Sequence, residues 1–209
     1  MELPKQRVFV LTDISNEPDD EESLVRFLVY ANEYDIEGLV ATTSTYLRKG
    51  PREDLIRRQL KAYGQVRGNL AKHADGYPAV AKLQAVTATG QAAYGMAAVG
   101  DGKTSAGSKL LLTALDKKDE RPLWVSVWGG ANTLAQALLE ARKNRSPQDF
   151  AKLVARLRVY TISDQDDAGP WLRREFPKLY YIVSPSDPSW KQYYRATWTG
   201  ISGDRHYKN

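Results

Sequence analysis

Residues 7–28 read RVFVLTDISNEPDDEESLVRFL, an apolar run that leads through an acidic loop into an amphipathic segment. The run Val8–Leu11 is short and uninterrupted, which is typical of a strand buried on both faces. The periodicity that follows predicts a helix over residues 20–34, because its apolar side chains recur at the spacing of one helix face. The stretch therefore predicts a strand–loop–helix unit, the building block of a parallel sheet.

The rest of the chain repeats this alternation. Further elements are expected as strands at 36–43, 123–127, 158–162 and 179–183, and as helices at 53–67, 105–116, 131–142, 146–157 and 168–175. The stretch 69–104 is expected to be mostly irregular, with short helical pieces. Alternating strands and helices predict an α/β fold with an open, mostly parallel sheet and helices on both faces. We expect a single domain over 1–209, with 184–209 as an irregular tail.

Composition narrows the functional classes. The chain has no cysteine, which excludes disulfides and thiolate chemistry. Its net charge is +5, but the basic residues are scattered and no nucleic-acid-binding motif accompanies them, so we predict no nucleic-acid partner. No apolar run approaches the roughly 20 residues of a membrane span, so we predict no membrane partner. The residues before Val8 lack the apolar stretch of a signal peptide.

In an open parallel sheet, binding sites form outside the carboxyl ends of the strands. That rule selects three segments that follow expected strands, 13–20, 128–133 and 163–167, each rich in polar or small residues. We expect them to meet at one edge of the sheet.

The first of these segments is acidic. It places four carboxylates within eight residues, those of Asp13, Glu17, Asp19 and Asp20. Crowded carboxylates repel one another unless a cation or hydrogen-bond donors compensate them, and a hard cation compensates best. The alternative is that Asp19 only caps the helix while the other acids face water. An EF-hand is excluded, because Pro18 stands where that loop needs Gly and Leu24 where it needs Glu.

These residues carry a family resemblance. A strand that ends in Asp, followed by a turn and an Asp-Asp pair that opens a helix, is similar to the Asp-x-Asp-Pro-Gly-x-Asp-Asp motif of nucleoside hydrolases. The segments 12–28, 36–44, 127–134 and 160–171 resemble most closely a nucleoside hydrolase-like branch of that family, often labelled cellulose-binding. The resemblance implies a Rossmann-like α/β domain and covers most of the chain.

The resemblance also implies roles for single residues. By position, Asp13 and Asp20 match ligands of a catalytic Ca²⁺, the Trp128 carbonyl would complete the metal shell, and Asp19 would bind sugar hydroxyls. Family chemistry uses Ca²⁺ to hold and polarise the attacking water. We also predict substrate contacts from the Trp128 side chain and from Asn16, Asn132, Asp164 and Asp167. Alternatives stay open, because Asn132 could instead cap the helix that begins at Thr133, and one acid of 164–167 could cap the next helix.

The sequence departs from the family pattern twice. Ser15 replaces the aspartate that is the family's presumed base, and a serine hydroxyl cannot take a proton near neutral pH. Glu17 and Asp13 are the nearest candidates for that role. The chain also stops at Asn209, before a later family segment that supplies another metal ligand, so we expect it to lack the C-terminal part of the family domain. Asp204 and His206 resemble that segment only superficially.

Three functions follow as hypotheses. The first is a hydrolase of N-glycosidic bonds in ribosyl or related sugars. The second is an inactive carbohydrate- or nucleoside-binding relative, with tryptophans such as Trp128 stacking on sugar. The third is a haloacid dehalogenase-type phosphatase with Asp13 as nucleophile and Thr43 or Ser44 and the Asp166–Asp167 pair as its partners. We expect a small-molecule sugar or nucleoside as ligand and leave a homo-oligomer open. The location is not determined, and the resemblance suggests a secreted or periplasmic protein if a signal was removed.

Overall fold

The computed structural model describes residues 4–15 and 17–183. Its strands are β1 (Gln6–Thr12), β2 (Tyr34–Ala41), β3 (Thr87–Thr89), β4 (Leu123–Val127), β5 (Leu157–Thr161) and β6 (Tyr180–Val183). Its helices are α1 (Pro18–Val29), α2 (Glu53–Leu70), α3 (Val80–Ala85), α4 (Ala106–Asp116), α5 (Asn132–Asn144), α6 (Pro147–Ala155) and α7 (Ala168–Glu175). Short 3-10 turns lie at Ala31–Glu33 and Met96–Ala98.

The described strands form one open sheet in the order β3-β2-β1-β4-β5-β6. Every neighbouring pair is parallel. The order reverses at β1, because β2 and β3 lie on one side of it and β4 to β6 on the other. The carboxyl ends of β1 and β4 therefore flank the switch point at which an open α/β sheet places its site.

Alternate side chains of β1 show why the sheet has helices on both faces. Val8 and Val10 belong to a buried cluster with residues of α1, α2 and α3. Phe9 and Leu11 point the other way and belong to a cluster with residues of α4, α5, α6 and α7. Burying both faces of one strand makes it an uninterrupted apolar run. The predicted fold class is confirmed.

Among the described residues, helices cover only one face of the half of the sheet that contains β5 and β6. Val125 and Val159 are fully buried beneath α5 to α7. On the opposite face Tyr160, Tyr180 and Ile182 are 39% to 49% exposed. None of the described helices could cross a lipid bilayer, since over residues 4–15 and 17–183 none combines sufficient length with a sufficiently apolar sequence.

Some element boundaries differ from the sequence prediction. The first helix begins at Pro18, whose fixed φ suits a first helical turn, and it ends at Val29 rather than continuing to residue 34. The short helical pieces expected in 69–104 include α3, but β3 was not predicted, because it has only three residues, Thr-Ala-Thr. The helix start at Ser146 is confirmed, because its hydroxyl accepts the N–H of Asp149 at 3.1 Å. The proposed tail at 184–209 lies outside the described residues.

Candidate functional site

Two carboxyl groups lie in contact where β1 runs into α1. Asp13 follows the last residue of β1, and Asp20 lies in the first turn of α1 and is 8% exposed. The two groups are hydrogen-bonded to each other. The Thr12 hydroxyl also donates to Asp20, and the Ile14 N–H donates to Thr12 Oγ1 at 3.1 Å. The end of the strand thus holds the acid pair in place.

Both carboxyl groups of the acid pair have raised pKa values. Burial raises the pKa of Asp13, and burial together with the negative charge of Asp13 raises the pKa of Asp20 well above its ordinary value. A hydrogen bond between two carboxyl groups needs a proton on one of them, so the pair binds a proton more tightly than ordinary carboxyl groups do. A cation beside the pair would stabilise both charges and displace that proton.

Ser44, after β2, is part of the same site. Its hydroxyl is hydrogen-bonded to Asp13 and accepts the N–H groups of Tyr46 and Leu47 at 2.9 and 3.0 Å. The side chain is fully buried. Ser44 was predicted as a site residue only for a phosphatase, although its place after a β-branched strand end is the signal that could have found it.

The turn after β4 packs directly against the acid pair. A Cβ on Gly129 would lie 2.6 Å from Asp13 Oδ1, and a Cβ on Gly130 would lie 2.5 Å from both Asp166 Oδ2 and the Thr43 carbonyl oxygen. No side chain fits at either position, so the two glycines let the Trp128–Gly130 backbone approach the acids. The Trp128 carbonyl oxygen accepts from the Gln165 side-chain N–H at 2.7 Å.

The Trp128 indole lies half-buried beside this turn. Its Nε1–H donates to Ser126 Oγ at 3.0 Å, and its ring meets that of Phe27 edge to face at 6.3 Å between centroids. Phe27 in turn stacks on Tyr34. Packing against α1 thus fixes the indole close to the carboxyl edge of the sheet.

The rest of the acidic loop is more exposed. Glu17 precedes α1 and is exposed, and its pKa is raised first by partial burial and then by the charges of Asp19 and Asp13. Asp19 Oδ1 accepts the N–H of Asp20 at 2.9 Å, but α1 begins at Pro18 and has no side-chain cap, so the alternative that Asp19 caps the helix is wrong. Ser15 has φ 132°, a value that favours glycine, and it brings no carboxylate to the site.

A second buried carboxyl group supports the floor of the site. Asp166 is 4% exposed and accepts the N–H groups of Asn132 and Ala168, each at 3.1 Å. Burial raises its pKa to about 7, against the lowering effect of these donors. Asp166 thereby ties the start of α5 to the start of α7.

Asn132 is used inside the protein. It is fully buried, and its amide N–H groups donate to the carbonyl oxygens of Ala93 and Gly95 at 2.9 and 3.3 Å and to Thr43 Oγ1 at 3.3 Å. Its Oδ1 has no hydrogen-bond partner. The alternative that Asn132 caps α5 is wrong, because the helix begins at Asn132 itself and has no side-chain cap.

The two other acids of the 163–167 segment make contacts within the protein. Asp164 forms a two-pronged ion pair with Arg173, at 2.8 and 2.7 Å. Asp167 Oδ1 accepts the N–H of Met96 at 2.8 Å, although the residue is exposed. Their predicted substrate contacts stay predictions. Asn16, Asp204 and His206 lie outside the described residues.

The acid pair fits a hard cation in the kind of donor it offers. Asp13, Asp20 and the Trp128 carbonyl supply oxygen, the ligand atom that Ca²⁺ prefers. Over residues 4–15 and 17–183, however, no three acidic or imidazole side chains gather in an arrangement able to hold a metal. The missing third carboxylate is the one that Ser15 lacks. The donors present are of the type that calcium prefers, with fewer charges than the family motif provides, and calcium binding stays a prediction.

Comparison with known proteins identifies the family. The family model described as cellulose-binding Sde182, nucleoside hydrolase-like domain, matches residues 7–209. The chain belongs to this family. The resemblance predicted from the sequence is confirmed, and the Sde182 nucleoside hydrolase-like family model covers the described strands and helices from β1 onward. A haloacid dehalogenase assignment gains no support.

A solved structure is similar to this nucleoside hydrolase-like domain in sequence and fold. It is described as a nucleoside hydrolase-related hypothetical protein from Saccharophagus degradans that is associated with carbohydrate metabolism. It shares 46% identity with the chain at a TM-score of 0.85, over 87% of this chain and 44% of that one. The Sde182-like domain thus spans less than half of that structure. A search of curated proteins gave no match.

Proposed function

We propose that this domain hydrolyses the N-glycosidic bond of a ribosyl or related sugar, with a Ca²⁺ ion held by Asp13, Asp20 and the Trp128 carbonyl. The observation that carries the proposal is the hydrogen-bonded acid pair of Asp13 and Asp20 at the switch point of the sheet, whose pKa values are both raised. Such a pair is costly to keep fully charged, and a bound cation would stabilise it further. When bound, the ion supplies a polarised water as nucleophile.

The residues around the acid pair would supply proton transfer and sugar binding. Glu17 stands at the exposed rim of the loop, and its raised pKa makes it a better proton acceptor than an ordinary carboxylate. We assign it the removal of a proton from the attacking water. Asp19, half-buried two residues later, is assigned to hold sugar hydroxyls. The Trp128 indole would cover an apolar sugar face.

The sugar class is supported by the relatives. The family's description includes cellulose binding, and the description of the solved structure associates that protein with carbohydrate metabolism. Both descriptions concern other proteins. Together with oxygen donors and an aromatic ring at one edge of the sheet, they favour a sugar or nucleoside ligand for this chain.

The second candidate is a binding-only domain. Ser15 favours it, because the position that carries the family's presumed base has no carboxylate. The absence of a third acid beside Asp13 and Asp20 in residues 4–15 and 17–183 favours it as well. In that function the same edge would bind a sugar without breaking a bond.

The test begins with calcium titration calorimetry on the full chain and on Asp20→Asn. The matched control is Asp116→Asn, an exposed acid that pairs with Arg145 far from the acid pair. We expect binding in the wild type and the control and none in Asp20→Asn. Because the ion must displace a shared proton, affinity should be higher at pH 8 than at pH 6. No binding at millimolar Ca²⁺ would remove the ion from the proposal.

Sugar release from a nucleoside panel then separates the two candidates. A hydrolase should release reducing sugar, and Glu17→Gln should lower kcat about 100-fold or more while leaving calcium affinity within about twofold. Calcium and sugar binding without release would establish the binding-only function. Full activity in Glu17→Gln would exclude Glu17 as the base.

A further inference from the structure

Gln165 connects three loops at the carboxyl edge of the sheet. Its side-chain N–H donates to the Trp128 carbonyl oxygen at 2.7 Å, and its backbone carbonyl accepts the N–H of Thr45 at 2.7 Å. Gln165 follows β5, Trp128 follows β4, and Thr45 lies beyond the end of β2. The residue is 5% exposed, so these contacts take place inside the protein.

Both partners of Gln165 lead directly to Asp13. The Trp128 carbonyl belongs to the peptide that continues into Gly129, and Gly129 packs against the Asp13 carboxylate. Thr45 follows Ser44, whose hydroxyl is hydrogen-bonded to Asp13. Gln165 is therefore bonded to the two loops that enclose the acid pair.

Only one of the two polar atoms of the Gln165 side chain has a hydrogen-bond partner. Its Oε1 is buried without a hydrogen-bond partner, while its N–H holds the carbonyl. A buried acceptor without a partner is unfavourable, and such groups in folded proteins call for a reason. The side-chain amide is oriented so that its N–H reaches the Trp128 carbonyl, and this orientation leaves its own Oε1 without a partner.

We infer that Gln165 is a positioning residue: its amide N–H fixes the Trp128 carbonyl beside the Asp13–Asp20 pair, where that oxygen serves as the third donor for the cation. A carbonyl oxygen has two lone pairs, so the bond from Gln165 leaves one free. Groups that orient a ligand through a hydrogen bond affect metal affinity without touching the metal. The role of the cation rests on the proposed function, whereas the fixing of the carbonyl does not.

The test uses Gln165→Met, which keeps the length of the side chain and removes both the donor and the unpartnered oxygen. The matched control is Gln91→Met. Gln91 is 3% exposed, donates to the carbonyls of Ala98 and Lys103, and also has an Oε1 without a partner. Gln165→Leu is the second variant if the methionine variant does not fold.

Calorimetry and thermal melting distinguish a positioning role of Gln165 from a purely structural one. We expect Gln165→Met to bind Ca²⁺ about 10-fold more weakly or worse, with a Tm equal to or above that of the wild type. Gln91→Met should keep wild-type affinity. Wild-type calcium affinity in Gln165→Met together with a lower Tm would show a purely structural role and overturn the inference.

A calcium-free measurement keeps this result separate from the proposed function. The ¹³C shift of the Trp128 carbonyl reports its hydrogen bond directly, and we expect it to move in Gln165→Met and to stay unchanged in Gln91→Met. If the wild type binds no Ca²⁺, the proposed role of the ion fails. A moved Trp128 signal would still establish the positioning role, and an unmoved one would overturn it.

Discussion

The free energy of unfolding should fall as the pH rises from 5 to 7, and Asp166 should carry a measurable share of that change. Burial raises the pKa of this carboxyl group from an ordinary 3.8 to about 7. The folded state therefore keeps a proton that the unfolded state releases, and stability is lost as the pH rises between these two values. Above pH 7 the contribution is constant.

The size of the effect follows from the pKa. A rise of about 3 in pKa corresponds to about 4 kcal/mol, because each pKa unit is worth about 1.36 kcal/mol. About 2 to 3 kcal/mol of it falls between pH 5 and pH 7, because the group is already ionised in the unfolded chain at pH 5. The acid pair of Asp13 and Asp20 has raised pKa values as well and acts in the same direction.

Urea unfolding of the wild type and Asp166→Asn at pH 5, 6, 7 and 8 isolates the contribution of Asp166. Asparagine does not titrate, so the difference between the two proteins should shrink by about 2 to 3 kcal/mol across the range. Asp116→Asn, an exposed acid, should show the wild-type slope. The Asn132 and Ala168 N–H groups favour the charged form. A difference that grows with pH would show that these donors outweigh burial, and the reasoning would be wrong.

Three further predictions concern single positions. Gly129→Ala should destabilise the protein by about 1 to 3 kcal/mol in urea unfolding and weaken calcium binding, because its Cβ would meet Asp13 at 2.6 Å. Glu37→Gln should cost about 1 to 3 kcal/mol by the same assay, since it leaves the 1% exposed Arg7 with only the more distant charge of Asp119 at 3.6 Å; a loss below about 1 kcal/mol would contradict this. Ser15→Gly should raise the Tm, because it relieves a φ of 132°; an unchanged or lower Tm would argue against strain there.

The sequence was sufficient for the fold because its strongest signal is periodic. The apolar run of β1 and the stripe on α1 are local patterns, and the site rule for parallel sheets then points to Asp13 and Asp20. β3 gave no such signal, since a three-residue edge strand has no periodicity to detect. β5 alternates between buried Val159 and exposed Tyr160, a one-sided pattern that a fully covered sheet would not predict.

The supporting residues of the site were harder to predict because their partners are distant in sequence. Ser44 meets Asp13, and Gln165 meets Trp128, only once the loops converge. In the 163–167 segment the charged residues drew the prediction toward Asp164, which the structure pairs with Arg173. The neutral Gln165 beside it bonds the Trp128 carbonyl, whose peptide continues into the Gly129 that packs on Asp13. Charge identifies the loop, whereas hydrogen-bond geometry identifies the residue.

The position of β1 in the sheet has a consequence for the order of folding. β1 pairs with β2, its neighbour in the chain, and with β4, where Val8 lies opposite Trp124. Pairing β1 with β2 closes a short loop. Pairing β1 with β4 closes a much longer loop, and a longer loop closes more slowly. The Trp128–Gly129 turn reaches Asp13 only with that second pairing. In a refolding experiment, calcium affinity should therefore appear after most of the helical signal, marking the completed joining of the two halves of the sheet.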